Sequence, residues 1–411
     1  MKKNIVILST MYYPDMGAPS ACLDKYVQCL KDKYNFSVIT KTYVYGATGD
    51  GKRLRYITNW THKLSLKCNH NIENSKYVCL SKLGLLLINI YKLIVNQFAY
   101  PYFNSWEIGE YYNHLNKLSK EIHVDIVISV ANTWTCQFAA LKYKQKNPSV
   151  KWISFVFDPF SEHYIYYKYK MFKKSWKGRN LKNERLIYDT ADVLLFSDEM
   201  FKYATNTLGI STRKAFNLGF VLDDIRKGES PYKINSNGLV KLIYAGMLYQ
   251  KIRNPEFMLS TISQVEGVEL DLFVGRGECE NILDTYISDK IRRTGFVNRD
   301  RYEQMICNEY DVLINVGNIS TLQAPSKMLE LLSTGRPILN FYYVKDSQYW
   351  MIEQYPLGLN IGFNEENAVR KVSKFCQNMK GKCLSYSEVL QLYPDYVLSR
   401  KISFLESLIE S

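Results

Sequence analysis

The chain has 411 residues, enough for two or three domains with large hydrophobic cores. Its formal net charge of +13 indicates an anionic partner, and nucleic acid, anionic lipid and nucleotide phosphate are all open at this level. The nine cysteines are scattered without a C-x-x-C pair, so neither a zinc site nor a disulfide framework is indicated. The apolar start is too short for a signal peptide, and together these features predict a protein of the reducing cytosol.

The chain begins with a predicted βαβ unit. Residues 4–10 form a continuous apolar run typical of a buried parallel strand, a loop follows at 11–17, and residues 36–40 form the next strand. Gly17 stands alone in that loop, so the glycine fingerprint of dinucleotide-binding proteins is absent. A nicotinamide or flavin enzyme is therefore disfavoured.

Residues 45–120 show no regular alternation and are expected to form a helical insertion. Within it, residues 80–100 come nearest to a membrane-spanning segment, but Lys82 and Lys92 interrupt them, so we expect no spanning helix. This stretch could lie in a membrane interface or form a buried helical hairpin.

Regular alternation resumes with strands at residues 125–130 and 152–157. Asp158 follows the second strand at its carboxyl end, where open α/β sheets bind ligands. It could orient a substrate hydroxyl or remove its proton, or it could only cap the turn that contains Pro159. Asp15, in the first loop, has the same two interpretations.

A basic and aromatic stretch follows at residues 161–182. It holds seven lysines and arginines against one acid, with tyrosine, phenylalanine and tryptophan between them. Such a stretch suits an anionic membrane surface, and its alternative is a solvated, flexible loop. Single-stranded nucleic acid ranks last, because no recognisable nucleic-acid module contains the stretch. The residues chosen for the membrane or acceptor contact are Lys168, Lys173, Lys174 and Trp176.

The second half of the chain starts after a break in the pattern. Residues 219–238 have few apolar runs and are typical of a linker. Five apolar segments then alternate with predicted helices. These segments are predicted strands, at residues 240–245, 270–274, 291–296, 311–316 and 338–341. We therefore predict an α/β fold of two doubly wound, Rossmann-like domains, with a ligand site in the cleft between them. The predicted limits are 1–218 for the first domain, 219–238 for the linker, 239–385 for the second domain and 386–411 for a helical tail.

A short helix is predicted between the last two of these strands. Ser326 is a good N-cap, and the helix would open at the carboxyl end of a parallel strand. Its N-terminus and Lys327 suit a phosphate, whereas Glu330, in the first turn, suits sugar hydroxyls. Taken alone, a solvated lysine and a carboxylate that only complements the helix dipole would be the commoner interpretation.

Four segments together resemble the family-4 retaining glycosyltransferases of the GT-B fold, and the resemblance covers nearly the whole chain. The match is strongest for Pro-Ser-Lys-x-x-Glu followed by Gly-Arg-Pro, which is similar to a subgroup that builds bacterial surface polysaccharides. The four segments are residues 12–18 (YYPDMGA), 244–255 (YAGMLYQKIRNP), 294–297 (TGFV) and 325–337 (PSKMLELLSTGRP).

The resemblance implies a GT-B architecture in which the first domain takes the acceptor, the second binds the nucleotide sugar, and the C-terminal helix crosses back to the first. It implies that Gly17 lets the acceptor and the donor phosphate approach the backbone, and that a basic residue after Gly246, Lys251 or Arg253, holds the diphosphate. The remaining implied donor-binding residues are Phe296 and Val297, beside the nucleobase, and Ser326, Lys327 and Glu330.

One position departs from the family pattern. The family helix carries two glutamates eight residues apart, and Glu330 corresponds to the second, which is implied to bind the ribose hydroxyls. Leu322 stands where the first would contact the transferred sugar. The nucleotide is therefore better predicted than the sugar, and the donor is either UDP- or GDP-linked.

The chemistry of transfer requires positive charge at the leaving diphosphate. Metal-dependent transferases use an Asp-x-Asp pair, which this sequence lacks, so we expect neither a metal nor another cofactor. Arg253 and Lys327, with a helix N-terminus, can neutralise the leaving group instead. With Asp158 they form the predicted catalytic set, and no nucleophile is assigned.

The sequence thus predicts a cytoplasmic glycosyltransferase, peripherally associated with the inner face of the cell membrane. It would transfer a hexosyl or N-acetylhexosaminyl group, with retention, to a lipid-linked or polysaccharide acceptor in capsule, O-antigen or exopolysaccharide synthesis. One alternative is a nucleotide-sugar epimerase of the same fold, although the five histidines avoid the motif regions. The other is a non-catalytic nucleotide-binding partner, which the loss of the first glutamate at Leu322 keeps open.

Overall fold

The structure, a computed structural model, divides into two compact units. The first unit comprises Met1–Gly219 with Ile402–Ser411, and the second comprises Phe220–Lys401. The residues described are 2–12, 16–42, 49–50, 53–57, 60–98, 105–131, 133–163, 167, 171–225, 238–320, 322 and 327–411.

The first unit is built on a parallel sheet of seven strands in the order β3-β2-β1-β4-β5-β6-β7. The central strands are apolar on both faces because helices cover both sides of such a sheet. The strands are β1 (Asn4–Leu8), β2 (Asn35–Lys41), β3 (Leu54–Ile57), β4 (Ile126–Val130), β5 (Lys151–Val156), β6 (Val193–Phe196) and β7 (Ala215–Asn217). The helices are α1 (Ala18–Leu30), α2 (Trp60–Glu73), α3 (Val78–Phe98), α4 (Ser105–Leu118), α5 (Thr135–Lys146), α6 (Lys173–Thr190) and α7 (Asp198–Lys202), which continues as a π-helical turn at Tyr203–Thr207.

The second unit has a parallel sheet of six strands in the order β10-β9-β8-β11-β12-β13. Its strand order reverses between β8 and β11, the point at which sheets of this kind bind ligands. The strands are β8 (Val240–Ala245), β9 (Val268–Phe273), β10 (Ile291–Thr294), β11 (Val312–Val316), β12 (Ile338–Tyr342) and β13 (Gly358–Gly362). The helices are α8 (Glu256–Gln264), α9 (Glu280–Tyr286), α10 (Arg299–Asn308), α11 (Lys327–Ser333), α12 (Ser347–Gln354), α13 (Ala368–Met379), α14 (Tyr386–Leu392) and α15 (Leu398–Glu410), with a 3-10 turn at Pro394–Tyr396 before α15.

The predicted fold class, two parallel α/β units, is confirmed by these two sheets. The last helix also returns to the first unit, as predicted. In α15, the carbonyl oxygen of Ile409 accepts a hydrogen bond of 2.8 Å from the Lys3 ammonium, and the Tyr34 hydroxyl donates to Glu410 at 2.6 Å. The ring of Phe404 packs edge-to-face on Phe216, with 5.2 Å between centroids.

The insertion between β3 and β4 holds α2, α3 and α4. Helix α4 is an integral part of the first unit, because Tyr111 is fully buried and its hydroxyl donates to the Ser9 carbonyl at 2.8 Å. In α3, the window Val78–Val95 is long and apolar enough to cross a membrane, with a mean hydropathy of 1.9. The expectation that no segment would qualify was wrong by this criterion, since two lysines do not offset so many leucines and isoleucines. The buried-hairpin alternative also fails for α3, because only 11% of that window is buried.

Candidate functional site

The candidate site lies at the carboxyl ends of β8 and β11, beside the start of α11. Gly246 follows β8 directly and has φ +146°, a conformation that side chains disfavour strongly. A Cβ atom there would lie 3.4 Å from the Tyr244 hydroxyl and 3.9 Å from the Lys327 ammonium. The glycine therefore allows the backbone to turn sharply next to Lys327.

Lys327 is the first residue of α11, and its side chain points back to the sheet. Its ammonium donates a hydrogen bond of 3.1 Å to the Ala245 carbonyl and lies 4.6 Å from the centre of the Tyr302 ring. Burial lowers the pKa of Lys327, and Arg253 and Arg299 lower it further, whereas Glu330 opposes them. An anion bound beside this ammonium would relieve part of the cost of its burial.

Arg253 is held in place by the loops that follow the two central strands. Its Nε donates to the side-chain oxygen of Asn318 at 3.0 Å, and its backbone N–H donates to the Tyr249 carbonyl at 2.7 Å. The Ile319 N–H donates to the Ile252 carbonyl at 2.7 Å, which joins the same two loops. The guanidinium is therefore positioned by the scaffold.

Arg253 and Lys327 line one pocket, so the structure brings together two of the predicted diphosphate-binding residues beside Gly246. The polar residues that line this pocket also include Tyr244, Tyr302 and Asn315. Tyr302 and Asn318 were missed by sequence reasoning, since neither lies in a segment that carries the resemblance. The pocket is lined by Ile243, Tyr244, Ala245, Arg253, Tyr302, Ile306, Ile314, Asn315, Lys327 and Leu331.

Glu330 lies one turn into α11 and is mostly buried, with 19% of its side chain exposed. Its carboxylate lies 3.8 Å from the guanidinium of Arg299, at the start of α10. Arg299 also lies 2.6 Å from Glu303 and 3.8 Å from Asp223, so it has three acidic neighbours. Arg299 was another residue that sequence reasoning missed.

Phe296 and Val297, the two residues predicted beside the nucleobase, face different environments. Phe296 is 67% exposed, and its ring lies so close to Gly275 that a Cβ atom at that glycine would overlap it. Val297 packs against the core of the second unit. Phe296 is therefore the residue of the pair with an aromatic face available for stacking.

The remaining donor-side residues are less informative. Lys251 is exposed on the turn after β8, and Leu322 is partly buried. Ser326 lies outside the described residues. Gly17 is the N-cap of α1, and its φ of −73° is one that any residue adopts, so its backbone angle does not require glycine.

Of the predicted acceptor-side residues, Asp158 is half-buried and lies two residues after the end of β5, and Asp15 lies outside the described residues. The turn after Asp158 is fixed by Glu184, a fully buried carboxylate. Glu184 accepts hydrogen bonds from the backbone N–H groups of Phe160, at 3.1 Å, and Ser161, at 3.0 Å. The hydroxyls of Ser161 and Tyr188 donate to it at 2.5 and 3.0 Å. Burial raises the pKa of Glu184, and these donors oppose the shift.

The basic stretch is only partly described, and Lys168 lies outside the described residues. Helix α6 begins at Lys173, and both Lys173 and Lys174 are exposed. Trp176 is half-buried, with the Arg179 guanidinium carbon 5.8 Å from the centre of its ring. Within the described part of the chain, no three His, Cys, Asp or Glu side chains converge in a way that could hold a metal ion.

Comparison with known proteins yields structural similarity alone. No protein-family profile matches the chain, and no curated protein matches it in sequence. Among solved structures, it is similar to the apo form of the lipopolysaccharide outer core galactosyltransferase WaaB, with a TM-score of 0.61, 12% identity and 99% of both chains covered. It is similar to sucrose-phosphate synthase from Thermosynechococcus elongatus, with a TM-score of 0.64, 10% identity, and coverage of 100% of this chain and 98% of that one.

Two further structures bear on function. Anabaena HepE, solved in complex with UDP and glucose, has a TM-score of 0.60, 12% identity and 99% coverage of both chains. A UDP-N-acetylglucosamine 2-epimerase has a TM-score of 0.57 and 13% identity, with 100% of this chain and 96% of that one covered. These similarities extend over the whole chain, so the protein has the two-unit α/β architecture of the GT-B glycosyltransferases.

Proposed function

We propose that this protein is a glycosyltransferase that uses a nucleotide-sugar donor. The observation that carries the proposal is the cationic pocket of the second unit. Arg253 and Lys327 both line it, beside Gly246, at the switch point of the sheet, where the strand order reverses between β8 and β11. A pocket with two fixed cations and a close-approaching backbone suits a diphosphate. The solved structure of HepE with UDP and glucose supports a nucleotide sugar as the ligand class.

In this proposal Arg253 and Lys327 stabilise the charge that develops on the diphosphate as the glycosidic bond breaks. Both are preorganised, Arg253 by Asn318 and Lys327 by the Ala245 carbonyl. Two fixed cations can neutralise the leaving group, and on this ground we propose transfer without a metal ion or another cofactor.

The nucleoside would be bound by Phe296 and Glu330, with Val297, Lys251 and Ser326 completing the donor site. The exposed ring of Phe296 offers a stacking face for a base. The carboxylate of Glu330 can accept hydrogen bonds from two ribose hydroxyls. UDP and GDP each carry a base and ribose hydroxyls that could make these contacts.

For the acceptor we propose a lipid-linked or polysaccharide saccharide, received by the first unit, with Asp158 orienting or deprotonating its hydroxyl. Asp15 is the other acceptor-side candidate, and Gly17 would let the acceptor and the donor phosphate approach the backbone. Lys168, Lys173, Lys174 and Trp176 would contact an anionic membrane from the cytoplasmic side. We further propose that the enzyme belongs to family 4 and transfers a hexose or N-acetylhexosamine with retention. Its role would be in capsule, O-antigen or exopolysaccharide synthesis.

An epimerase of the same fold is the second candidate, because two UDP-N-acetylglucosamine 2-epimerase structures are similar to this chain over its full length. Epimerisation needs acid and base groups at the reacting sugar carbon. Among the described residues that line the pocket, none is a histidine or a carboxylate. The described lining therefore supplies no histidine or carboxylate as an acid or base for epimerisation.

A screen of UDP- and GDP-sugars for donor hydrolysis or transfer, with and without EDTA, tests the proposal. We expect turnover with one donor that persists in EDTA and falls at least tenfold in Arg253→Ala. Conversion of a UDP-sugar to its epimer would establish the epimerase instead. Nucleotide binding without any turnover would identify a non-catalytic partner, and loss of turnover in EDTA would overturn the metal-free mechanism.

A further inference from the structure

Helix α3 exposes a large apolar surface. An ordinary surface helix turns its apolar stripe to the core and its polar side to water. In α3, Ser81 and Ile88 are buried, and a Cβ atom at Gly84 would lie 3.2 Å from the Cys68 sulfur in α2. Seven large apolar side chains lie outward, each between 45% and 72% exposed: Leu80, Leu83, Leu86, Leu87, Ile90, Leu93 and Ile94.

These exposed side chains form one continuous surface. Their spacing of three and four residues places them along a single face of the helix, which is roughly 30 Å long at 1.5 Å per residue. Contiguous apolar patches of this size on soluble proteins mark a surface that another molecule covers. The apolar face of α3, defined by these seven residues, is therefore an interaction surface.

The charges around this face indicate what covers it. Residues 60–98 contain five lysines and a single acid, Glu73. The lysines are exposed on the two helices and the turn that joins them: Lys63, Lys67, Lys76, Lys82 and Lys92. An apolar stripe on a pair of helices with five exposed lysines matches a bilayer with anionic headgroups, in which the stripe would meet the acyl chains and lysines would meet phosphates.

The topology favours a helix that lies on such a bilayer over a helix that crosses it. Strands β3 and β4, before and after the insertion, belong to the same sheet, so a single crossing would have to be followed by a crossing back. Helix α2 has 14 residues, about 21 Å at 1.5 Å per residue, which is too short for a hydrocarbon core of about 30 Å. Helix α4 is packed into the first unit through Tyr111 and Leu115.

We propose that α3 is the membrane-docking element of this protein, inserting its apolar face into the surface of an anionic bilayer. The inference extends the proposed function by naming what brings the enzyme to a lipid-linked acceptor. It does not depend on turnover, because docking is measured without any nucleotide or acceptor.

The test is flotation of the full chain with vesicles of phosphatidylcholine alone or with 30% phosphatidylglycerol added. We expect binding that is stronger on the anionic vesicles and that falls more than tenfold in the double variant Leu83→Asp/Leu87→Asp. A matched control, Leu239→Asp/Ile287→Asp, makes the same charge change at two exposed apolar residues of the second unit and should float like the wild type. Unchanged circular dichroism and melting temperature show that each variant is folded.

Three results would overturn the proposal. The first is equal flotation of the α3 variant and the wild type. The second is loss of binding only when Lys173, Lys174 and Lys177 are replaced by glutamine, which would assign docking to α6. The third is a wild type that binds neither kind of vesicle but is a dimer by light scattering, with the dimer lost in Leu83→Asp/Leu87→Asp. That result would make the apolar face of α3 a contact between two copies of the chain. Transferase activity with a water-soluble acceptor, measured in parallel, separates failure of docking from failure of the proposed function.

Discussion

The ammonium of Lys327 donates its hydrogen bond to the carbonyl oxygen of Ala245, which ties the first residue of α11 to the last residue of β8 at 3.1 Å. A lysine has three donors, and this bond uses one of them. The contact fixes a positive charge at the switch point of the sheet before any ligand arrives. A preorganised charge of this kind acts on a developing negative charge without further reorganisation.

The lowered pKa of Lys327 leads to a prediction about pH. In the free protein, burial holds the pKa of Lys327 below its ordinary value of 10.5. A bound diphosphate would raise this pKa, because it favours the charged form of the lysine. Nucleotide affinity should therefore be full below the free-protein pKa and decline as the pH rises through it towards the higher pKa of the complex. Titration of UDP and GDP by calorimetry between pH 7 and 10 measures this decline.

Lys327→Arg is the control, because arginine stays charged over this range. Its affinity is expected to be lower at pH 7 but flat with pH. An equally steep decline in Lys327→Arg would assign the titration to another group, and a flat wild-type curve would remove Lys327 from the phosphate site.

Gly246→Ala should lose nucleotide binding. The residue has φ +146°, where a side chain costs about 1–3 kcal/mol, and the new methyl group would lie 3.9 Å from the Lys327 ammonium. We expect a lower melting temperature and at least a tenfold loss of affinity for the nucleotide. Gly267→Ala is matched to it, since Gly267 has φ +73° in open space, far from the pocket lining. It should cost stability only, so equal affinities in both variants would contradict the role of Gly246.

The sequence predicts the central strands well, because continuous apolar runs mark strands that are buried on both faces. It misses three of the four edge strands, β3, β7 and β13. Strand β13 contains Gly358, Asn360 and Gly362, and only Ile361 in it is buried, so periodicity could not reveal it. A one-dimensional pattern also does not show that Asn315 and Asn340 lie opposite each other and are joined by a hydrogen bond of 2.8 Å.

The sequence could predict which candidate residues lie beside a strand end. Gly246 and Lys327 are of this kind. Arg299 is not, because its proximity to Glu330, 31 residues later, exists only in the folded chain. The outward apolar face of α3 was unpredictable for another reason, since composition and periodicity show that a helix has an apolar side but not which way it turns.

Glu330→Gln should reduce discrimination between ribose and deoxyribose nucleotides. A hydrogen bond to a charged group contributes about 1.5–3 kcal/mol, which corresponds to roughly a 10–100-fold change in affinity. We expect UDP or GDP to bind more weakly to the variant, by about that factor, whereas the 2′-deoxynucleotide changes less. Glu303→Gln removes a different carboxylate from the same arginine, Arg299, and should leave the ratio unchanged. Equal ratios in wild type and Glu330→Gln would show that this carboxylate does not touch the ribose.

Glu184→Gln should destabilise the first unit, because the buried carboxylate accepts hydrogen bonds from two backbone N–H groups and two hydroxyls. A glutamine would turn its NH₂ group towards one of the N–H donors of Phe160 and Ser161, which leaves buried groups unsatisfied at a cost of about 1–3 kcal/mol. Chemical denaturation at pH 7 measures the loss. Glu162→Gln is the control, since this carboxylate pairs with Lys177 near the surface, where an ion pair contributes roughly 0–1 kcal/mol. If the two variants lose the same stability, Glu184 does not anchor the turn after Asp158. If only Glu184→Gln is destabilised, a parallel fall in its turnover would link that turn to the acceptor.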